Sequence, residues 1–212
     1  MGSQSKSRQP GRVLTFDRWD FVVTRVLIVA ITLGSLAITV VWPVILWLRG
    51  EPLQWVVAVD ATAGLPDELT TSPDAAAQWN GEALVTLTQA SASTWLATLL
   101  PGLITTAAIA LVAGQLLGLL RDIQSREPFA AASVRRLRII ALILLIAPMV
   151  ALAADAVAGA AVRSAAFVDA PFAFLFTANG ILIAAGAGLM VAAIAEAFAR
   201  GAELRADVDG LV

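Results

Sequence analysis

The sequence lacks the residue types on which much enzyme and metal chemistry depends. Its 212 residues include no cysteine, no histidine and no tyrosine. Without cysteine there is no disulfide, no thiolate nucleophile and no thiolate metal ligand. Histidine is the commonest general base and the commonest metal ligand, although two carboxylates can still supply acid–base chemistry. We therefore predict that the protein is not an enzyme and that it holds neither a metal nor a cofactor.

Charged residues are also scarce. They make up 14% of the chain, against about 25% in an average soluble domain. The net charge is −2, so there is no overall positive field to attract nucleic acid, and we expect no direct nucleic-acid binding. Hydrophobic residues, by contrast, account for 59% of the chain, and the mean hydropathy is +0.84. These values are typical of a protein whose main contact is the lipid bilayer.

Four apolar runs have the length of a transmembrane helix, which takes about 20 residues. The first is too long for the apolar part of a signal peptide, and "WLRGEP" after it offers no small-residue cleavage site, so we interpret it as a retained span. The sequence predicts an all-α membrane protein, a single membrane domain of residues 1–212 with spans at about 22–48, 95–120, 139–162 and 173–198.

The basic residues indicate how these spans are oriented. The N-terminal segment, the connector 121–138 and the tail 199–212 together hold 12 of the 14 Lys and Arg residues. Lys and Arg are retained on the cytoplasmic side of a membrane. We therefore predict that both termini are cytoplasmic and that the loop 49–94 lies on the outer side.

The outer loop contains two segments with the composition of β-strands, "LQWVVAVD" and "EALVTLTQ". Alternation places Leu53, Trp55, Val57 and Val59 on one face, and turn residues fill the stretch between the segments. We predict a small two-stranded β-ribbon. The alternative is an irregular loop on the helix ends, because an isolated hairpin is only marginally stable.

Asp155 is the one acidic residue well inside a predicted span. It lies about 10 Å from the outer end of the third helix, and Asn179 lies at a similar depth on the fourth. Antiparallel packing of these helices would allow a hydrogen bond between the two side chains. A carboxylate in the membrane is costly and often functional, or it can form a structural hydrogen bond. Arg163 and Asp169, beside the short outer link, are expected to be solvated.

The segment "PFAAASVRRLR" places three arginines against the start of the third span. Basic residues at a helix N-terminus oppose the helix dipole, but the anionic inner leaflet attracts them. The cluster is interpreted either as a topology anchor or as a docking surface, and Ser133 as a cap of the helix. The candidate docking residues are Pro128, Phe129, Arg135, Arg136, Arg138, Arg200, Glu203 and Arg205.

Two short spacings indicate contacts between side chains or helices. Glu196 and Arg200 are four residues apart, as in a helical ion pair. Gly114 and Gly118 form a G-x-x-x-G pattern. Small residues of this kind permit close helix contacts within one chain or between copies in a homo-oligomer, and both uses stay open.

Three stretches carry a family resemblance: "TWLATLLPGL" at the second span, "REPFAAASVRRLR" at 126–138 and "AEAFARGAELRADVDGLV" at 195–212. They resemble the domain of unknown function 2975 family of small bacterial membrane proteins. The family pattern matches at Pro128, Phe129, Arg136, Leu137 and Arg138, whereas Ser133 stands where Asn is usual.

The resemblance implies four membrane helices in the cytoplasmic (inner) membrane of a bacterium. Members of the family are often encoded beside a small helix-turn-helix regulator. The resemblance therefore implies a sensor or regulatory partner of a cytoplasmic transcription regulator. Two alternatives stay open: a small transporter or permeation subunit with Asp155 and Asn179 on the path, and a membrane stress or immunity protein.

Overall fold

The computed structural model describes residues 18–58, 82–124, 131–167 and 178–209. A first helix, α1, continues through a π-helical segment into α2. Two strands follow, and then three long helices. The elements are α1 (Arg18–Leu36), the π segment (Ala37–Val41), α2 (Trp42–Leu48), β1 (Leu53–Ala58), β2 (Glu82–Leu87), α3 (Ala92–Gln124), α4 (Ala131–Ala166) and α5 (Ala178–Asp209).

Four helices in the described residues are long and apolar enough to cross a membrane: the continuous helix Trp19–Leu48, then α3, α4 and the Gly180–Glu203 part of α5. Many large apolar side chains on these helices are exposed, which suits a surface that contacts lipid rather than water. The prediction of four helices long and apolar enough to cross a membrane is confirmed, and these helices suggest a multi-pass membrane protein. The first residues of the fourth predicted span, 173–177, lie outside the described residues.

The helices are longer than the apolar runs that predict them. α3 continues to Gln124 and α4 begins at Ala131, so much of the predicted connector is helical. The predicted cap at Ser133 is wrong, because this residue lies inside α4 with its side chain fully buried. Apolar runs mark the part of a helix that crosses lipid, and a helix can continue beyond it on polar residues.

The predicted ribbon is confirmed. β1 and β2 pair antiparallel, with Leu53 opposite Leu87 and Val57 opposite Ala83. Leu53 and Val57 are buried on the inner face, whereas Val56 and Leu84 on the other face are exposed. Val59, the last residue of the predicted apolar face, lies outside the described residues.

The ribbon packs on one end of the helices. Leu53 and Val57 form a buried cluster with Trp95 of α3 and Val162 of α4. Trp47 of α2 stacks on Trp95, with ring centroids 6.2 Å apart and an interplanar angle of 13°. This shared core is what stabilises a two-stranded ribbon that would be marginal alone.

Gly50 sets the turn from α2 into β1. Its φ is +71°, in the left-handed region that glycine adopts without steric cost. The amide of Gly50 donates to the carbonyl of Trp47, and the amide of Glu51 donates to that of Leu46, both at 3.0 Å. This pair of bonds is a Schellman motif, and it ends α2 so that the chain turns back as β1.

The helices contact one another in chain order. α1 packs on α3, α3 packs on α4, and α4 packs on α5, with the α3–α4 interface the most extensive. The approach of the first helix to α3 is close at Gly102, where a Cβ atom would overlap the carbonyl of Thr39. α3 and α4 therefore form the centre of the molecule, and the outer helices flank them.

Candidate functional site

A groove of about 780 Å³ runs along the faces of α3 and α4. Ile28 of α1, the first residues of α5 and the edge of the ribbon complete its walls. Its lining is mostly apolar and includes a proline from each central helix, Pro101 and Pro148. Its size lies within the roughly 300–1,000 Å³ of ordinary small-molecule sites. The groove is therefore large enough to hold a small molecule.

Asp155 lines this groove from α4 and is half-buried. No hydrogen bond or ion pair joins its carboxylate to another side chain in the described part of the chain. Glu82, at the start of β2, is the second acidic residue in the lining, and Thr105 of α3 adds a hydroxyl. The groove therefore combines long apolar walls with acidic groups and has no Lys or Arg among its described lining residues.

The predicted bond between Asp155 and Asn179 stays a prediction. The described part of α5 begins at Ala178, so Asn179 lies in its first turn, but its side chain is outside the described residues. Its neighbour Gly180 lines the same groove as Asp155. The carboxylate of Asp155 and the beginning of α5 therefore line the same groove.

Three hydroxyl groups, within the apolar parts of the two helices, join the first helix to α3. Thr39 Oγ1 lies 2.8 Å from Thr106 Oγ1, and Ser35 Oγ lies 3.2 Å from the same atom. Thr39 also donates to the carbonyl of Ser35, at 2.8 Å. Thr39 lies within the π segment, a kind of helix irregularity that is frequent at functional sites. The sequence analysis missed this cluster, and the i, i+4 spacing of Ser35 and Thr39 is the signal that could have found it.

A second set of polar contacts lies at the end of the bundle opposite the ribbon. There, Arg25 Nη2 of α1 donates to Gln124 Oε1 of α3, at 2.7 Å. Arg138 Nη2 of α4 lies 3.7 Å from Glu196 Oε2 of α5. We call this set the polar collar; its members are Arg25, Asp122, Gln124, Ser133, Arg136, Arg138, Glu196 and Arg200.

The centre of the polar collar joins α3 to α4. Arg136 Nε lies 3.1 Å from Asp122 Oδ2, and Ser133 Oγ donates to the same oxygen at 3.0 Å. The guanidinium of Arg136 lies directly over Gly118, where any Cβ atom would overlap it. Gly118 is therefore used for a contact within the chain, and the alternative of a helix contact between copies stays a prediction.

The candidate docking residues fall into three groups. Arg136, Arg138 and Arg200 belong to the polar collar, and the predicted pair of Glu196 with Arg200 is confirmed at 3.3 Å. Arg135 and Glu203 are exposed. Pro128, Phe129 and the side chain of Arg205 lie outside the described residues. The docking surface itself stays a prediction.

The expectation that Arg163 is solvated is wrong. Its relative exposure is 8%, near the end of α4 that contacts the ribbon. A long arginine side chain can bury its stem along apolar surface, and the ribbon covers this helix end in a way that the sequence of α4 alone does not show. Asp169, its predicted neighbour, lies outside the described residues.

Comparison with known proteins identifies one family, but it finds no similar curated protein or solved structure. The model of one family, described as "Protein of unknown function (DUF2975)", matches residues 68–212, which is more than half of the chain. That match begins in the loop between the strands and includes α3, α4 and α5. The chain therefore belongs to the DUF2975 family.

Proposed function

We propose that the protein is a non-enzymatic membrane sensor that controls a cytoplasmic helix-turn-helix transcription regulator. The observation that carries the proposal is the polar collar. It joins each neighbouring pair of membrane helices at one end of the molecule: α1 to α3, α3 to α4, and α4 to α5. A change in helix packing at the groove or the ribbon would therefore alter contacts at that end.

The polar collar is suited to rearrangement because its outer contacts are weak. The side chains of Arg138, Arg200 and Glu196 are all more than half exposed, and exposed ion pairs contribute only about 0–1 kcal/mol each. A two-state protein needs alternative arrangements that differ by a few kcal/mol, so that a ligand can shift their populations. We propose the polar collar as the part that differs between the two states.

In this proposal the polar collar faces the cytoplasm of a bacterium and the ribbon faces outward across the inner membrane. The clustering of Lys and Arg supports this orientation. Trp47 and Trp95, which stack under the ribbon, support it less directly, because indole rings favour either membrane interface. A soluble regulator could then reach the polar collar.

Arg135 is the best single residue with which to test partner docking. It is exposed beside the polar collar, and it makes no ion pair with another described residue. Arg136, in contrast, packs over Gly118 and pairs with Asp122, so changing it would disturb helix packing. A guanidinium can bind a carboxylate with two parallel hydrogen bonds, which lysine cannot do.

The test is affinity purification of the full chain in mild detergent, with mass spectrometry of the captured proteins. We expect a helix-turn-helix protein to be enriched with the wild type and to be reduced with Arg135→Lys at equal membrane abundance. The matched control is Arg49→Lys, which changes an exposed arginine next to the ribbon. Failure to capture such a protein, or equal recovery from wild type and Arg135→Lys, would contradict the docking proposal.

A second candidate, a small transporter, is favoured by the position of Asp155 in the groove. Channels select polar solutes with rings of carbonyl or charged groups, whereas an apolar constriction closes a path by excluding water. The part of the groove nearer the polar collar is instead lined by Val112, Leu116, Ile143 and Leu144. This apolar stretch supports a binding groove over a path through the membrane.

A further inference from the structure

We propose that the groove binds a cationic amphiphile, with its ammonium group at Asp155 and its hydrocarbon chain along α3 and α4. The ligand would enter from the bilayer. This inference goes beyond the proposed function, because the binding can occur in the purified chain without any cytoplasmic partner.

The walls of the groove are suited to a hydrocarbon chain. On α3 the lining residues Thr105, Ile109, Val112 and Leu116 recur every three or four positions, which places them on one face of the helix. On α4 the lining extends from Ile143 to Asp155, a rise of about 18 Å. The groove is therefore an elongated apolar recess with a carboxylate near one end.

The acidic charge of the groove lining favours a cationic head group on the bound amphiphile. The charged residues among the described lining, Asp155 and Glu82, are both acidic. Glu82 makes a contact of its own, so the proposed position of the head group is Asp155. The first turn of α5 approaches at Gly180 and Ile181 and brings no basic side chain. A carboxylate in an apolar, lipid-facing recess is costly unless an opposite charge or a hydrogen-bond donor pairs with it. An ammonium group supplies both.

Few hydrogen-bond donors face Asp155 among the described lining residues of the groove. Thr105 is the one hydroxyl side chain among the described lining residues. An anionic amphiphile would place like charges together, and a neutral one would leave the carboxylate without a counter-charge. The cation is thus favoured over both by electrostatics, while all three would fill the apolar part equally well.

The binding test uses the full chain in nanodiscs of zwitterionic lipid and three probes of equal chain length: dodecylammonium, dodecanol and dodecanoate. Saturable binding is measured by isothermal titration calorimetry and by the shift in thermal unfolding. We expect dodecylammonium to bind at least about tenfold more tightly than dodecanol, because both can donate a hydrogen bond to the Asp155 carboxylate but only the ammonium also supplies a counter-charge. We expect no saturable binding of dodecanoate.

Two variants, Asp155→Asn and Ala151→Trp, and one control variant locate the site. Asp155→Asn keeps the shape of the side chain but removes the charge, and it should reduce dodecylammonium affinity to that of dodecanol. Glu203→Gln, which neutralises an exposed carboxylate away from the groove, is the matched control and should bind as the wild type does. Ala151→Trp fills the groove while keeping Asp155 and should weaken the binding of dodecylammonium and dodecanol alike.

Equal affinity for dodecylammonium and dodecanol in the wild type would overturn the proposal, because the groove would then be only a space for lipid tails. Unchanged affinity in Asp155→Asn would overturn it as well. If Asp155→Asn does not fold, Ala151→Trp decides: loss of saturable dodecylammonium binding supports the groove as the site, and unaltered binding refutes it.

Discussion

At the scale of single residues, the structure gives glycines on one helix different tasks. Gly102 and Gly114 both lie within α3, and the G-x-x-x-G pattern of the sequence points to Gly114 rather than to Gly102 as the contact residue. A Cβ atom at Gly102 would overlap the backbone carbonyl of Thr39, whereas a Cβ atom at Gly114 would meet nothing within 4 Å. Gly102 is therefore required for close packing of the first helix, and Gly114 is not.

This difference predicts opposite effects of the same substitution. Gly102→Ala must push the first helix away from α3, and overpacking of this kind costs about 1–3 kcal/mol. Gly114→Ala should leave stability unchanged or raise it by about 0.5–1 kcal/mol, because alanine favours a helix over glycine. Thermal unfolding of both variants in one detergent provides the comparison. Equal stabilities of the two variants would show that the first helix does not approach α3 as described.

A second contrast at this scale concerns the ion pairs of the polar collar. The side chains of Arg136 and Asp122 are 29% and 18% exposed, whereas those of Arg138 and Glu196 are 63% and 53% exposed. Asp122→Ala leaves a half-buried guanidinium without its carboxylate, and we expect a loss of about 1–3 kcal/mol. Glu196→Ala should cost less than about 1 kcal/mol. Chemical denaturation in mixed micelles would measure both, and a larger loss for Glu196→Ala would be inconsistent with these contacts.

At the scale of elements, much of the fold could be predicted from the sequence. Which face of each helix packs against its neighbours could not be predicted. The four spans and the ribbon follow from long apolar runs and from the alternation around Trp55. The rotation of each helix does not, because a helix in lipid is apolar on all sides and has no polar face to mark its exterior. This is why Asp155 could be singled out as an intramembrane carboxylate, whereas the groove around it could not be predicted.

The same reasoning explains the contacts that the sequence analysis missed. The Glu196–Arg200 pair is local and was predicted, whereas Arg136–Asp122 and Arg25–Gln124 join different helices. Their partners are determined by helix rotation and by the length of α3 and α4 beyond the apolar runs. The cluster of Ser35, Thr39 and Thr106 depends in addition on the π segment, which shifts the register of the first helix by one residue.

The link between the first helix and α3 gives a prediction at the element scale. If the hydroxyl groups of Thr39 and Thr106 interact as their 2.8 Å separation indicates, Thr39→Val and Thr106→Val should not be additive. Coupling energies for hydrogen bonds between membrane helices average about 0.6 kcal/mol, and we expect a value of this order. The double-mutant cycle is measured by unfolding in detergent. The control cycle replaces Thr39→Val by Thr24→Val, because the hydroxyl of Thr24 donates to the carbonyl of Asp20 in its own helix. Additive losses for Thr39 and Thr106 would exclude the interaction.

At the scale of the whole molecule, the structure separates two ends with different chemistry. One end carries the ribbon, the stacked indoles of Trp47 and Trp95 and the buried Arg163. The other carries the polar collar, and the groove lies between them along α3 and α4. The proposed function requires the polar collar to face the cytoplasm, because only there can it meet a transcription regulator.

Labelling of single cysteines tests this orientation, and the chain is suited to it because it contains no cysteine of its own. Gln54→Cys places a thiol on the exposed face of β1, and Ala131→Cys places one at the exposed start of α4. A membrane-impermeant maleimide is applied to intact cells and, separately, to permeabilised cells. We predict that position 54 is labelled in both, and that position 131 is labelled only after permeabilisation. Labelling of position 131 in intact cells, with position 54 protected, would contradict the account, because the polar collar would then be out of reach of any cytoplasmic regulator.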